Sequence, residues 1–330
     1  MIIFKDGFDY ISVANGTRKW DNATGTIVTG VYGQGSALQG AAAKIKTLSA
    51  NYATCFFSFH WFSGTLADHI IFAVRDAGSN QCELRGNASG QLRFTRNGTL
   101  IGSASTPTVT ANTWYFIDGK IVISDAAGIA EVNVDRVSFL ALSSVDTKNT
   151  SNAFFNQLEI ETFSDRTQRH DNFHFWDDTA GDISAAPTGE LVIDTAWVTG
   201  AGDNADFTPS ASTNASNVDD NPNADDDSTY NSSGTVGHID TFAVGSLHAT
   251  SGTVVSVGVD TIDRRDDATL FTVAHRVKSA SATADGTGFT PSASYLNHQS
   301  HFAVDPNTSA AWTVSGRNAA KFGYTIVSSP

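Results

Sequence analysis

Thr54-Cys55-Phe56-Phe57-Ser58-Phe59-His60-Trp61 interleaves aromatic residues with Ser58 and His60, the pattern of a strand with at least one buried face. Working outward, the same short, β-branched and aromatic pattern returns at Ile70-Ile71-Phe72-Ala73-Val74, Leu92-Arg93-Phe94-Thr95 and Ala130-Glu131-Val132-Asn133-Val134. Its longest copy is Trp114-Tyr115-Phe116-Ile117-Asp118-Gly119-Lys120-Ile121-Val122-Ile123. Gly, Asn and Ser turns separate the runs, and Asn97-Gly98 between Phe94-Thr95-Arg96 and Thr99-Leu100-Ile101 predicts a two-residue hairpin. No window carries a long helical stripe. The best helix signal is Ser315 to Phe322, with Ser315 as N-cap, Lys321 in the last turn and Gly323 as terminator. The fold class expected is therefore all-β: two antiparallel, jelly-roll-like β-sandwich domains with at most short helices.

At 330 residues the chain exceeds one ordinary domain. The small-residue stretch containing Gly181, Ala185, Ala186, Pro187 and Gly189 predicts a boundary, giving domains 1–187 and 188–330. Beyond it aromatics thin out. Phe207-Thr208-Pro209-Ser210-Ala211-Ser212 recurs as Phe289-Thr290-Pro291-Ser292-Ala293-Ser294, but the flanks differ, so two similar turns are expected and not a duplicated domain.

Hydrophobic content of 40%, with 21 Phe and 6 Trp, is enough for real cores. Twenty Lys and Arg against 34 Asp and Glu give a net charge of −14, which repels phosphate backbones and anionic bilayers and argues against nucleic acid or membrane as partners. The start, Met1-Ile2-Ile3-Phe4-Lys5-Asp6-Gly7-Phe8, lacks the basic and apolar regions of a secretion signal. No apolar run reaches the ~20 residues of a membrane-spanning helix. Cys55 and Cys82 are expected as buried free thiols, because a chain this large needs no staple. Accumulation in a reducing cytoplasm follows as an expectation.

Two resemblances run along the chain. Asp6-Gly7-Phe8-Asp9-Tyr10, Lys19-Trp20-Asp21, Gly33-Gln34-Gly35-Ser36-Ala37-Leu38, Asn112-Thr113-Trp114-Tyr115-Phe116 and Arg169-His170-Asp171-Asn172-Phe173-His174-Phe175-Trp176-Asp177 occur in an order that resembles laminin-G-like, concanavalin-type jelly rolls. The last piece is then a closing strand that pairs near the chain's start. The blocks Asp225-Asp226-Asp227-Ser228-Thr229-Tyr230 and Asp305-Pro306-Asn307-Thr308-Ser309-Ala310-Ala311-Trp312-Thr313, with the ending Asn318 to Val327, resemble the C-terminal domain of tailed-phage structural proteins. That resemblance implies a virion component assembled in the host cytoplasm. Its partners would be other virion proteins, copies of itself and host-surface polysaccharide.

The chemistry-bearing candidates are few. Jelly-roll glycosidases array carboxylates along one strand face to flank a glycosidic bond. Glu159-Ile160-Glu161 supplies two at the right spacing, but Phe163 and Ser164 stand where the third belongs and Asp165 comes too late. A depolymerase using Glu159 and Glu161 is thus the enzyme alternative, and the expectation is no enzyme. Asp219, Asn221, Asn223 and Asp225 place oxygens at alternate positions, as a Ca²⁺ loop does, although Ala224 replaces the usual glycine and Tyr230 the closing glutamate. A solvated acidic loop is the competing expectation, and no other cofactor is implied. His170 and His174 would share a strand face too far apart to chelate, and His298 and His301 would face opposite ways. Trp61, Trp114, Trp176 and Tyr230 are the candidate sugar-stacking platforms, although most strand tryptophans face cores. The leading expectation is the one the C-terminal resemblance implies, a non-enzymatic virion structural protein serving as head decoration, fibre or tail-surface component; the alternatives are a stand-alone carbohydrate-binding protein and, behind it, the depolymerase.

Overall fold

The computed structural model describes residues 1–9, 13–22, 25–33, 35–40, 42–160, 167–179, 183, 189–221 and 224–329. The chain divides into two compact units, Met1–Ile193 and Asp194–Pro330. Most of the small-residue stretch that predicted the boundary at 187 and 188 lies outside the described residues.

The first unit is built from strands β1 (Ile2–Asp6), β2 (Thr26–Thr29), β3 (Ser36–Gln39), β4 (Lys44–Tyr52), β5 (Thr54–Ser63), β6 (His69–Asp76) and β7 (Ser79–Gly86). It continues with β8 (Leu92–Arg96), β9 (Thr99–Ile101), β10 (Thr113–Val122), β11 (Gly128–Val134), β12 (Val137–Val145), β13 (Phe155–Ile160) and β14 (Gln168–Trp176). One antiparallel sheet runs β12-β11-β10-β5-β14-β3-β2, and β1 pairs with the second half of β14, Phe4 opposite Phe175. The other runs β4-β13-β6-β7-β8-β9.

The sheets face one another through aromatic rings. Phe57 of β5 lies 4.6 Å from Phe72 of β6, and Phe59, Phe173 and Phe72 complete the stack. Each such side chain contributes about 1.5–3 kcal/mol by leaving water, which is why the aromatic runs of β5 and β14 lie at the centre of their sheet. Cys55 and Cys82 are buried free thiols in this core. The Asn97-Gly98 hairpin forms as the sequence predicts, with φ of 44° and 83° and Arg96 opposite Thr99. The short helix α1 (Val13–Lys19) carried no readable periodic signal.

In the second unit the strands Val198–Ala205, Ile239–Val244, Lys321–Ser328, Thr272–Ser279 and Ala282–Asp285 form a sheet in that order. The pair Val257–Asp263 and Leu296–Phe302 shares its core of Val257, Val259, Val277, Phe302, Trp312 and Phe322. The predicted helix is shorter and starts earlier: α2 spans Val314–Ala319. Thr313, not Ser315, is its N-cap, and Thr313 Oγ1 accepts from the Gly316 amide at 2.9 Å. Ala320 is extended, and Lys321, Phe322 and Gly323 belong to the strand that follows. Gly323 therefore does not end a helix. It lets a neighbouring strand approach, since a Cβ there would fall 1.9 Å from the Asp240 carbonyl oxygen. The repeated hexapeptide makes two different turns: Phe207 packs edge-on to Tyr324, whereas Phe289 stacks on His298.

Candidate functional site

Alternation along β5, β10 and β14 sends one set of side chains into the sandwich and the other onto the outer face of the larger sheet. On that face a cavity of about 390 Å³ opens among His60, Trp114, Phe116, Val31, Tyr32, Asp135, Arg136 and Glu190. His60 of β5 stands opposite Phe116 of β10, and Trp114 is the next outward residue of β10. Trp114 is half-buried, with one side against Phe62 at 5.6 Å.

Two tight turns bring in the remaining walls. Asp135 and Arg136 are the whole loop between β11 and β12, at φ of 49° and 68°. Such a turn normally selects Asn-Gly, because both positions need the left-handed region. Tyr32, at φ 61°, also stands in that region, and its side chain is 66% exposed. Left-handed residues with side chains cost roughly 1 kcal/mol each and collect at functional sites. Three of them line this one cavity.

Hydrogen bonds fix the arrangement. Asp171 Oδ2 accepts from the Val31 amide at 2.9 Å, tying the Tyr32 turn to β14. Burial raises the Asp171 carboxyl to about 7, against the opposing pull of the Val31 and Asn172 amides. Asn172 Nδ2 donates to His60 Nδ1 at 3.4 Å, which puts the ring proton on Nε2, 3.3 Å from Glu190 Oε1. Burial pulls the His60 pKa down, and Glu190 opposes that shift. The Tyr32 hydroxyl donates to the same Glu190 oxygen, and burial followed by this contact lifts its pKa to about 12. An Arg136 nitrogen lies 3.8 Å from Glu190 Oε2. The site thus offers aromatic faces, a guanidinium and carboxylates, the mixture that orients a polar ligand with apolar ring faces.

Of the four predicted stacking residues only Trp114 lines this cavity. Trp61 is 1% exposed, with its indole donating to Gln168 inside the core. Trp176 is fully buried against Phe56. Both correct the expectation: Trp61 lies in the core and Trp176 is covered on the outer face of the larger sheet, so neither ring is open to a sugar. Tyr230 is 44% exposed and belongs to the second unit, outside the cavity lining.

Of the candidate Ca²⁺ loop, Asn223 lies outside the described residues. Asp219, Asn221 and Asp225 are surface positions, and Asp225 spends both carboxylate oxygens on Thr229. Among the described residues no three His, Cys, Asp or Glu side chains gather into a metal site.

Glu159 lies on the other sheet, buried and paired to Arg75 at 2.8 Å, away from the cavity; Glu161 lies outside the described residues. His170 and His174 do not share a face. A bulge with Asn172 at φ 52° inverts the alternation, so His170 meets Phe59 and the Ile71 carbonyl in the core while His174 faces outward beside Ser58. His298 pairs with Asp263 at 3.0 Å.

Tyr32, His60, Asp135, Arg136 and Glu190 escaped the sequence reading. Asp135-Arg136 was findable, as a two-residue gap between alternating runs without the glycine such a turn favours.

No family model matches the sequence, and no curated protein matches it. Among solved structures, an alginate lyase is 12% identical over 52% of this chain and 95% of its own, with a TM-score of 0.34. The carbohydrate-binding module CBM66 from Bacillus subtilis is 13% identical over 46% and 91%, with a TM-score of 0.30. The galectin LEC-6 of Caenorhabditis elegans is 12% identical over 40% and 89%, with a TM-score of 0.29. Likenesses this distant carry no argument about the cavity, whose chemistry rests on its own side chains.

Proposed function

We propose that the chain is a glycan-binding protein that holds sugar in the cavity of its first unit and breaks no bond in it. The observation that carries this reading is the set of three left-handed residues, Tyr32, Asp135 and Arg136, turned toward the half-buried ring of Trp114. Backbone strain of this kind persists where the side chains so displayed are needed. Trp114 and Tyr32 supply apolar faces for a sugar ring, and Asp135 and Arg136 supply an acceptor and donors for its hydroxyls.

The setting belongs to the same proposal. The C-terminal sequence blocks support a place on a phage particle beside other virion proteins and further copies of this chain. There, repeated weak sites gain strength by avidity toward host-surface polysaccharide. Titration calorimetry against a panel of neutral and acidic oligosaccharides tests the binding. Saturable binding that weakens at least tenfold in Trp114→Ala is expected, and no saturable binding to any member defeats the reading. Proteomics of purified particles tests the setting.

A further inference from the structure

Glu190 sits in its cavity as a guest among donors that other elements provide. The Tyr32 hydroxyl comes from the turn after β2, His60 Nε2 from β5 and the Arg136 guanidinium from the β11–β12 turn. Glu190 arrives on the segment 189–193, which lies along the outer face. The Gly189 amide faces the Asp118 carboxylate there, and the Ile193 amide donates to Asn172 Oδ1 at 2.6 Å.

Among the described residues, Ser58 Oγ and Asp118 Oδ1 are buried on this face without a hydrogen-bond partner, although the Asp118 carboxylate as a whole accepts from Asn133 and the Gly189 amide. Ser58 and Asp118 stand opposite one another in the β5–β10 register, one row along from His60 and Phe116. Buried polar atoms are almost always paired, so two orphans side by side mark a place for a polar group.

We infer, on the strength of the glycan reading above, that the ligand is an acidic sugar whose carboxylate takes the place of Glu190 against Tyr32, His60 and Arg136. Its hydroxyls reach Ser58 and Asp118 when the segment 189–193 lifts away. The tether gives Glu190 a poor fit, because 3.8 Å from Arg136 is well beyond the roughly 2.7–2.9 Å of a charge-assisted hydrogen bond. A free carboxylate closes that gap and binds the guanidinium through two bonds. Replacing one carboxylate by another leaves the charge at the donors unchanged. The net charge of −14 therefore slows approach more than it opposes contact.

The test titrates the full chain with galacturonate, guluronate, mannuronate and sialyl oligosaccharides, each against its carboxyl-reduced counterpart. At least one acidic form is expected to bind about tenfold tighter than its reduced partner. Glu190→Ala should tighten that acidic form about threefold or more and leave the reduced form within about twofold. Glu190→Gln, which keeps the shape without the charge, carries the same comparison if the alanine variant fails to fold. Reduced forms binding as tightly as acidic ones, or Glu190 variants that weaken the acidic form, overturn this inference while glycan binding stands. Silence from every sugar in both forms removes both.

Discussion

Trp176 lies flat on Phe56, its register partner across β14 and β5, with the ring planes 15° apart and the centroids 5.8 Å apart. The pair covers the outer face of the larger sheet a few residues from the cavity, yet neither ring is accessible. Trp114 is the opposite case, a half-buried ring that lines the cavity. The two tryptophans should therefore separate stability from binding. Trp176→Ala is expected to cost about 3–5 kcal/mol, read as a lower urea midpoint at constant slope. Trp114→Ala should cost about 1 kcal/mol or less while abolishing most of the sugar affinity. Equal stability losses in the two variants would refute this division of labour.

The Asp135-Arg136 turn should show a trade between stability and function. Replacing the pair by Asn-Gly removes the side chain from one left-handed position and places a well-tolerated asparagine at the other, without altering the length of the hairpin. A gain of about 1 kcal/mol is expected, because the added chain entropy of glycine offsets part of the relief. Binding should fall sharply, since the guanidinium and the carboxylate leave together. Thermal melts and titrations on one preparation check both. A destabilised variant with intact binding would show that the turn is held for reasons other than its ligand.

Asp6 organises the N-terminal corner of the first sandwich. Its Oδ2 accepts from the Trp20 indole at 2.7 Å, and its Oδ1 accepts from the Phe8 amide at 3.0 Å. Trp20 is 1% exposed and packs edge-on to Phe4. Asp6→Ala leaves a buried indole N–H without an acceptor and should cost about 2–3 kcal/mol. Asp6→Asn keeps an acceptor and should recover at least half of that. Denaturant unfolding of the two variants decides, and equal losses would mean the charge matters more than the acceptor.

The strands were legible because burial on a pleated sheet leaves a two-residue period that needs no tertiary knowledge, as in Trp114 to Ile123. The two-residue turn at Asn97-Gly98 was legible for the same local reason. Trp61 and Trp176 misled because the pattern reports that a ring is on a face, not whether that face is covered. The covering comes from other segments and leaves no local trace. The bulge at Asn172 was equally silent, and one extra residue moved His174 to the other side of β14. Glu190 joined the site through contacts more than fifty positions away in sequence, to Arg136, His60 and Tyr32. A sequence period cannot carry that information.

Two buried histidines should make the first unit sensitive to acid. Burial holds His170 and His174 down at about 3, against an ordinary value of 6.5. The folded state then refuses protons that the unfolded chain accepts, so stability is full above pH 6.5 and lost as the pH falls toward 3. Each histidine contributes a slope of about 1.4 kcal/mol per pH unit in that window. Asp171, raised to about 7 by burial, acts in the opposite sense. Between about pH 4 and 7 it keeps a proton that the unfolded chain has released, which adds stability as the pH falls. The opposing slopes partly cancel down to about pH 4, and below it Asp171 no longer offsets the two histidine slopes. Stability should therefore decline gently from pH 6.5 to 4 and steeply beneath. His174→Gln should make the steep limb shallower by about one proton's worth of slope, measured from urea midpoints across that range. A variant whose pH profile runs parallel to the parent's would mean that His174 is protonated in the folded protein.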